Sequence, residues 1–228
     1  WKSEYSTIDT ALLLAGALTA GEYFGGEART LADRLYGRVD WKYWSPRGFV
    51  SHGSRPEEGE FIESDYSGYS EALLLYVLAI GSPTHPVPAD RWHKLGRWIA
   101  RYGPYSSIAG PSLFVNQYPN LWVDFRGKHD GIADYFENTR ANTLANRLYC
   151  INQQSRYPWF GPDIWGLTAG DGPGNTYDAW GAEPGGANTD GTINPHAAGG
   201  SYMVTPTESR RALAAMLAKY RPKLWGRY

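Results

Sequence analysis

The chain has 228 residues and a formal net charge of -1, with a pI near 6.6; it is long enough for one sizeable core or two small ones, and it carries no basic field for nucleic acid or an anionic membrane surface. Aromatic residues make up 15% of it, ten Trp and seventeen Tyr among them, beside 27 Gly, a composition that suits a cleft walled by flat rings and therefore sugars or peptides. The single Cys excludes an internal disulfide framework and a cysteine-built zinc site.

In chain order, Ser6 or Thr7 is expected to cap a helix over about residues 8–24, whose middle, Ala11 to Leu18, is apolar on every side and so should be buried all round. After Gly25-Gly26 the spacing predicts an amphipathic helix with Leu31, Leu35 and Val39 on one face and Arg29, Asp33, Arg34 and Arg38 on the other. Residues 40–67, with Trp41, Trp44, Pro46, His52, Gly53 and Pro56, read as a long loop, and loops of that length are usually functional or disordered. The stretch Tyr66-Ser67-Gly68-Tyr69-Ser70-Glu71 then leads into nine consecutive apolar or aromatic residues, Ala72 to Ile80, closed by Gly81 and Pro83. Such a helix has no solvent face.

Residues 88–102 are expected to form another amphipathic helix, with Trp92, Leu95 and Ile99 on one side. Residues 103–131 read as loop with short strand pieces. A long helix is predicted over 135–152, its apolar face made by Ala141, Leu144, Ala145, Leu148 and Ile151 and its start marked by Glu137. Residues 157–191 are too rich in Gly, Pro, Asn and Asp for any helix. A short small-residue helix over 194–201 precedes the capping box Thr205-Pro206-Thr207-Glu208, which opens a last amphipathic helix striped by Leu213, Met216, Leu217 and Tyr220.

Apolar helices thus alternate with charged-face helices. Asp9, Glu71 and Glu137 head three of them and Asp190 precedes the short fourth. A ring of helical hairpins would bring those acids to one mouth. No apolar run reaches membrane-spanning length, no signal-peptide pattern opens the chain, and the start at Trp1 reads as a segment cut from something longer.

The strings Ser6-Thr7-Ile8-Asp9-Thr10-Ala11, Tyr69-Ser70-Glu71-Ala72, Gly81-Ser82-Pro83-Thr84-His85-Pro86, Trp122-Val123-Asp124-Phe125-Arg126-Gly127, Tyr135-Phe136-Glu137-Asn138, Trp165-Gly166-Leu167-Thr168-Ala169, Asp171-Gly172-Pro173 and Asp190-Gly191-Thr192-Ile193 together resemble the bacterial glucoamylase-like family of glycoside hydrolases. The resemblance is collinear over nearly the whole chain. It implies an all-α (α/α)6 toroid with long aromatic and Gly-rich insertions, of which residues 1–228 are a single catalytic-domain segment incomplete at both ends. It also implies glycosidase chemistry like that of β-1,2-glucanases and cyclic β-1,2-glucan synthases, an oligo- or polysaccharide substrate, a periplasmic or secreted location, and further helices of the same toroid from outside the segment.

Glycoside hydrolysis needs a protonated carboxyl at the leaving oxygen and a second carboxylate as base or nucleophile. Glu71 is the first candidate for the acid, because desolvation on an apolar helix raises a carboxyl pKa; the plainer alternative is a first-turn Glu complementing the helix dipole. Glu137 is the second candidate, with an ion pair to Arg140 or Arg147 as its plainer reading. Asp9, either a cap or a substrate ligand, Asp171, either a turn Asp or a site group, and Asp190 complete the acids. Trp41, Trp44, Tyr69, Trp122, Trp165 and Tyr118 are candidate sugar platforms, with core packing the commoner role for any one Trp. His52 and Gln117 are placed with the substrate-binding groups, and Arg126 is expected to form a buried ion pair with Asp124 that shapes the cleft. His52 and His196 lack a second ligand at metal-binding spacing, so neither metal nor cofactor is expected. The rivals kept open are α-glucan hydrolysis, a toroid that binds carbohydrate without turnover, and a polysaccharide lyase.

Overall fold

The computed structural model describes residues 3–110 and 112–224, which divide into two compact units with the boundary between Gly96 and Arg97. Both are mainly helical, with long loops and short antiparallel strand pairs.

In the first unit, strand β1 (Tyr5–Ser6) runs directly into helix α1 (Thr7–Phe24). Ser6 caps it, its Oγ accepting the Asp9 N–H at 3.2 Å, and the Thr7 hydroxyl donates to the Ser51 carbonyl at 2.6 Å. Gly25, at φ +66°, is the turn into helix α2 (Gly26–Gly37). All-round burial of α1 does not hold: its buried side includes Ala11, Leu14, Ala15 and Gly21, and it packs on both α2 and α3, while Leu13 is 65% exposed. The apolar face expected of α2 is not buried either. Leu31 and Leu35 are exposed and Ala32 is the buried residue, because the two helices meet through small side chains, with Ala32 Cβ only 3.0 Å from where a Cβ on Gly21 would sit.

The loop after α2 carries strands β2 (Gly53–Arg55) and β3 (Glu60–Phe61), which add to β1 in the order β1-β2-β3. Gly53 faces Ser6 in that ladder, and a Cβ there would lie 2.1 Å from the Tyr5 carbonyl oxygen; only glycine permits the pairing. Helix α3 (Ala72–Ile80) follows and is buried as predicted along its whole length except at Ile80, which is half-buried, and Val77, which is 37% exposed. It packs on α1, and the Tyr36 hydroxyl of α2 donates to its Leu78 carbonyl at 2.7 Å. The helix expected over 88–102 shrinks to α4 (Arg91–Lys94). Gly96 ends it, its backbone drawn into a parallel bridge with Gly68.

The second unit opens with the hairpin β4 (Ile99–Tyr102) and β5 (Tyr105–Ile108), turned by Gly103 at φ +56°. So Ile99 lies on a strand, not on the face of a helix. Helix α5 (Phe114–Trp122) occupies a segment read as loop; its apolar residues Phe114, Val115, Tyr118, Leu121 and Trp122 recur at helical spacing, but Pro119 lies inside it and its buried positions are Asn116, Gln117 and Pro119, so the side it buries is not its apolar one. Helix α6 (Tyr135–Asn152) has the predicted bounds, and Asp134 caps it by accepting the N–H groups of Phe136 and Glu137.

The buried face of α6 is not the Leu144-Leu148-Ile151 face. It is Asn138, Thr139, Asn142, Thr143, Ala145, Asn146, Tyr149 and Cys150. Asn138 accepts the Ile108 N–H at 2.7 Å and Asn142 donates to the Ile108 carbonyl at 3.1 Å. One turn on, Asn146 makes the same pair of bonds to Leu167, 3.1 Å to its N–H and 3.0 Å to its carbonyl. Side-chain amides at helical spacing therefore stand in for a neighbouring strand and satisfy backbone that would otherwise be buried unpaired.

The hairpin β6 (Ala169–Gly172) and β7 (Thr176–Ala179), the short helix α7 (Pro195–Gly200) and helix α8 (Pro206–Leu224) complete the unit. Their common core includes Leu113, Phe160, Trp165, Leu167, Ala212 and Met216; Leu217, expected on the same stripe, is 41% exposed. No helix among the described residues is long and apolar enough to cross a membrane. Replacing Asn146 with Ala would strand the N–H of Leu167, whose carbonyl still accepts the Leu113 N–H at 3.3 Å, so Asn146→Ala is expected to lower unfolding free energy by about 1–3 kcal/mol, measurable by urea denaturation, whereas Arg147→Ala one position along should cost less.

Candidate active site

Glu71 stands at the head of α3 with helical backbone angles and makes no side-chain cap bond. Ser70 takes that duty, its Oγ accepting the Ala72 N–H at 3.2 Å, which leaves the Glu71 carboxyl available for other work. Burial raises the Glu71 pKa; the Glu71 N–H works against it, and the charge of Asp9 adds a smaller effect in the raising direction. The two acids that head α1 and α3 are thereby brought into one electrostatic neighbourhood.

Asp9 is exposed and lines a cleft of about 590 Å³ whose wall includes Glu4, Tyr5, Leu13, Arg38 and Trp44. Trp41 borders the same cleft but is fully buried, so it supports the floor and offers no ring face; its expected platform role is corrected. Trp44 is half-buried, packed edge-on against Tyr43 and Phe61 at 5.4 and 5.6 Å. His52 stacks on Tyr66 with ring centroids 4.1 Å apart, and its Nδ1 is 2.9 Å from the Ser64 Oγ. Burial lowers its pKa and favours the neutral imidazole. Tyr69 is half-buried and its N–H donates to the Gly96 carbonyl at 2.9 Å.

Tyr66 was not among the residues singled out, although it opens the stretch that leads to Glu71. Its phenol pKa is raised well beyond the ordinary range by burial, and then by Glu71, Asp9 and Glu4 in that order. Only the negative charges converging from three separate elements reveal it, and those elements meet in the fold alone.

In the second unit, Glu137 is exposed and pairs with Arg140 at 3.5 Å, the plainer arrangement open to it. A cleft of about 480 Å³ is lined by Leu121, Trp122, Asp124, Phe125, Arg126 and Phe136 among others. Arg126 donates to both Asp124 oxygens at 2.8 and 2.9 Å and holds that carboxyl at about 2. The expected pair exists, but both partners are exposed, 69% and 55%, since it sits at the end of α5 on the cleft rim and not in a core. Gln117 is buried and donates to the Ala197 carbonyl and the Ser201 hydroxyl, both at 2.9 Å, so its amide joins helices α5 and α7; its expected substrate role is corrected. Trp165 is fully buried in the core and is corrected likewise. Asp171 lies exposed on the β6–β7 hairpin opposite Tyr177. Asp190 accepts the Thr192 N–H at 2.8 Å in a turn, and His196 Nε2 lies 3.2 Å from the Ala169 carbonyl. Tyr118 and Trp122 are the partly open rings of α5, at 38% and 39% exposure. Among the described residues no group of three or more His, Cys, Asp or Glu could hold a metal ion.

The glycoamylase family model, described as "Putative glucoamylase", matches residues 63–228. The chain belongs to this family. It is 27% identical over 97% of its length to an exo β-1,2-glucooligosaccharide sophorohydrolase (non-reducing end) of Parabacteroides distasonis, of which it covers 35%. The structure of an endo-β-1,2-glucanase from Chitinophaga pinensis, solved with sophorotriose and glucose, matches with a TM-score of 0.84 at 28% identity over 97% of this chain and 57% of that one. A β-1,2-glucanase structure from Parabacteroides distasonis matches with a TM-score of 0.85 at 25% identity, over 97% and 36%. The chain thus spans from about a third to just over half of the length of these relatives, and it shares their fold over nearly all of its own.

A carboxyl whose folded pKa lies above its unfolded value contributes stability that is complete below the unfolded pKa, about 4.3 for Glu, and that is lost as pH rises through the folded value. Ionised Glu71 is therefore a stability cost at neutral pH. Glu71→Gln is expected to raise the melting temperature at pH 7 and to raise it less at pH 4, a difference that paired thermal melts would register.

Proposed function

We propose that this protein is a glycoside hydrolase that cleaves β-1,2-linked glucan, with Glu71 as general acid, and that its helices form part of an (α/α)6 toroid carrying one catalytic domain. The observation that carries the reading is the desolvated Glu71 carboxyl, which makes no helix-capping bond and lies within reach of the Asp9 charge. A leaving sugar alkoxide must be protonated as the bond breaks, and a carboxyl can do this near neutral pH only if burial and a neighbouring negative charge hold its proton. The family membership and the β-1,2-glucan relatives supply the substrate class.

The second carboxylate has the opposite requirement, since a base or nucleophile must be ionised and solvated. Glu137, exposed and paired with Arg140 at 3.5 Å, is kept as the candidate for that role. Asp9 and Trp44 along the first cleft, and Trp122 with the Asp124–Arg126 pair along the second, are assigned to substrate binding: the rings offer apolar faces and the charged groups hold hydroxyls.

Glu71→Gln is expected to lower kcat on β-1,2-glucan by about 10²- to 10⁴-fold, the usual contribution of a general acid, and unmutated protein should lose activity as pH rises through the elevated Glu71 pKa. Reducing-end assays on β-1,2-glucan and on starch separate this reading from α-glucan hydrolysis. Glucan bound with no new reducing ends after long incubation would instead make the protein a carbohydrate-binding one.

A further inference from the structure

We propose that Trp159 and Asp190 form a second carbohydrate site in the second unit, the Trp159 ring stacking on a β-linked glucosyl unit whose hydroxyl donates to the Asp190 carboxylate. Neither residue lines the clefts described above. The class of ligand rests on the glucan-hydrolase reading; the site itself rests on how the loop 156–161 holds the turn 189–192.

Two rings staple that turn. The Tyr157 hydroxyl donates to the Thr189 carbonyl at 2.9 Å, and the Trp159 indole N–H donates to the Gly191 carbonyl at 2.8 Å. Asp190 lies between the two stapled residues. Both rings press against Gly191, where a Cβ would sit 2.7 Å from Trp159 Cζ2 and 2.7 Å from Tyr157 Cδ1, and where φ is +101°; only glycine fits there. Inside the turn, the Thr189 hydroxyl oxygen accepts the Gly191 N–H at 3.0 Å and Asp190 Oδ1 accepts the Thr192 N–H at 2.8 Å. The exposed Asp190 carboxylate is thus held by one oxygen, and its Oδ2 makes no hydrogen bond or ion pair among the described residues.

The two rings differ in exposure. Tyr157 is 6% exposed and belongs to the core with Phe160, whereas Trp159 is 45% exposed. Tyr157 and Phe160 flank the Trp159 ring at centroid distances of 5.8 and 6.3 Å, inclined to it by 54° and 87°, so neither lies flat on the indole. The bond to Gly191 accounts for the indole N–H but not for the apolar area left in water. A ring fixed in orientation, with its polar edge already bonded, offers a ligand an apolar face and loses little freedom on binding. A β-linked glucopyranose unit matches that surface, since its hydroxyls are equatorial, its faces are C–H and its rim is polar. An ionised carboxylate only accepts hydrogen bonds, and a hydroxyl at that rim has a proton to donate. Because Asp190 adjoins the residue that the indole bonds, ring and carboxylate lie within reach of one sugar.

The test uses the full-length protein in the Glu71→Gln background, run cold in native gels containing β-1,2-glucan, where binding retards migration. Trp159→Ala is expected to weaken glucan affinity about 3- to 10-fold, the range for one lost stack. Trp159→Phe loses the bond to Gly191 as Ala does but keeps a ring face, so it should recover most of that loss. Asp190→Asn keeps an oxygen for the Thr192 N–H and is expected to weaken affinity about 3- to 10-fold with the melting temperature held. No recovery by Trp159→Phe overturns the assignment, because the staple and not the ring face then matters. Unchanged affinity in either Trp159→Ala or Asp190→Asn overturns it too, as does a melting temperature of Asp190→Asn that falls in step with its binding. If these variants weaken binding but the unmutated protein releases no reducing ends from the glucan, the hydrolase reading fails and the site stands. If reducing ends appear and no variant alters retardation, the site fails and the hydrolase reading stands.

Discussion

The near-complete burial of α3 is the constraint from which the first unit follows. A run of nine apolar residues gains most by leaving water on every side, so other segments must wrap it: α1 packs beside it, the Tyr36 hydroxyl of α2 bonds its last turn, and the loop before it is clamped by Tyr76. The helix must still begin somewhere, and its first turn places Glu71 where water is scarce. Because Ser70 supplies the capping oxygen, the carboxyl is left with a burial cost and a like-charged neighbour in Asp9. A half-buried acid whose proton is held by desolvation is thermodynamically awkward for a fold and chemically suited to donating a proton.

The second unit solves a different problem. The end of β5 at Ile108 and the loop carrying Leu167 are both buried, where backbone N–H and carbonyl groups need partners. The Asn residues of α6 provide them at successive turns, Asn138 and Asn142 for Ile108 and Asn146 for Leu167. Asn116 on α5 joins the same network through Asn138 and Asn142. Such a polar core is stable only when every member is paired, which ties the positions of α5, α6 and the Leu167 loop to one another, and with them the rim that carries Trp122, Asp124 and Arg126.

These two solutions explain what could be read from the residues and what could not. Helices α1 and α6 carry their caps, Ser6 and Asp134, beside them in sequence, and α8 opens at Pro206 as expected, although the Thr205 hydroxyl donates to the Ser201 carbonyl rather than capping it. The apolar α3 was equally plain. Helix α5 has its apolar residues at helical spacing, but Pro119 inside it and the exposure of Tyr118, Leu121 and Trp122 hide it, and the buried face of α6 escapes hydrophobic periodicity because it is buried by amide pairing. The helix expected over 88–102 fails for a different reason: it stops at Lys94, and the pairing of residues 99–102 with 105–108 outweighs a weak amphipathic pattern.

What the amino-acid sequence determined by itself was the family, the existence of the main helices, and the presence of acids at their heads, since caps, apolar runs and motifs all act over a few residues. Only the tertiary structure decided which side chains meet. It buried Trp41 and Trp165 and committed Gln117 to α7, while Trp44 and Trp122 kept part of their rings open. It also set Tyr66 among carboxylates contributed by separate elements. Burial and electrostatic field are sums over everything nearby in space, and neighbours in space are what a linear pattern leaves unstated.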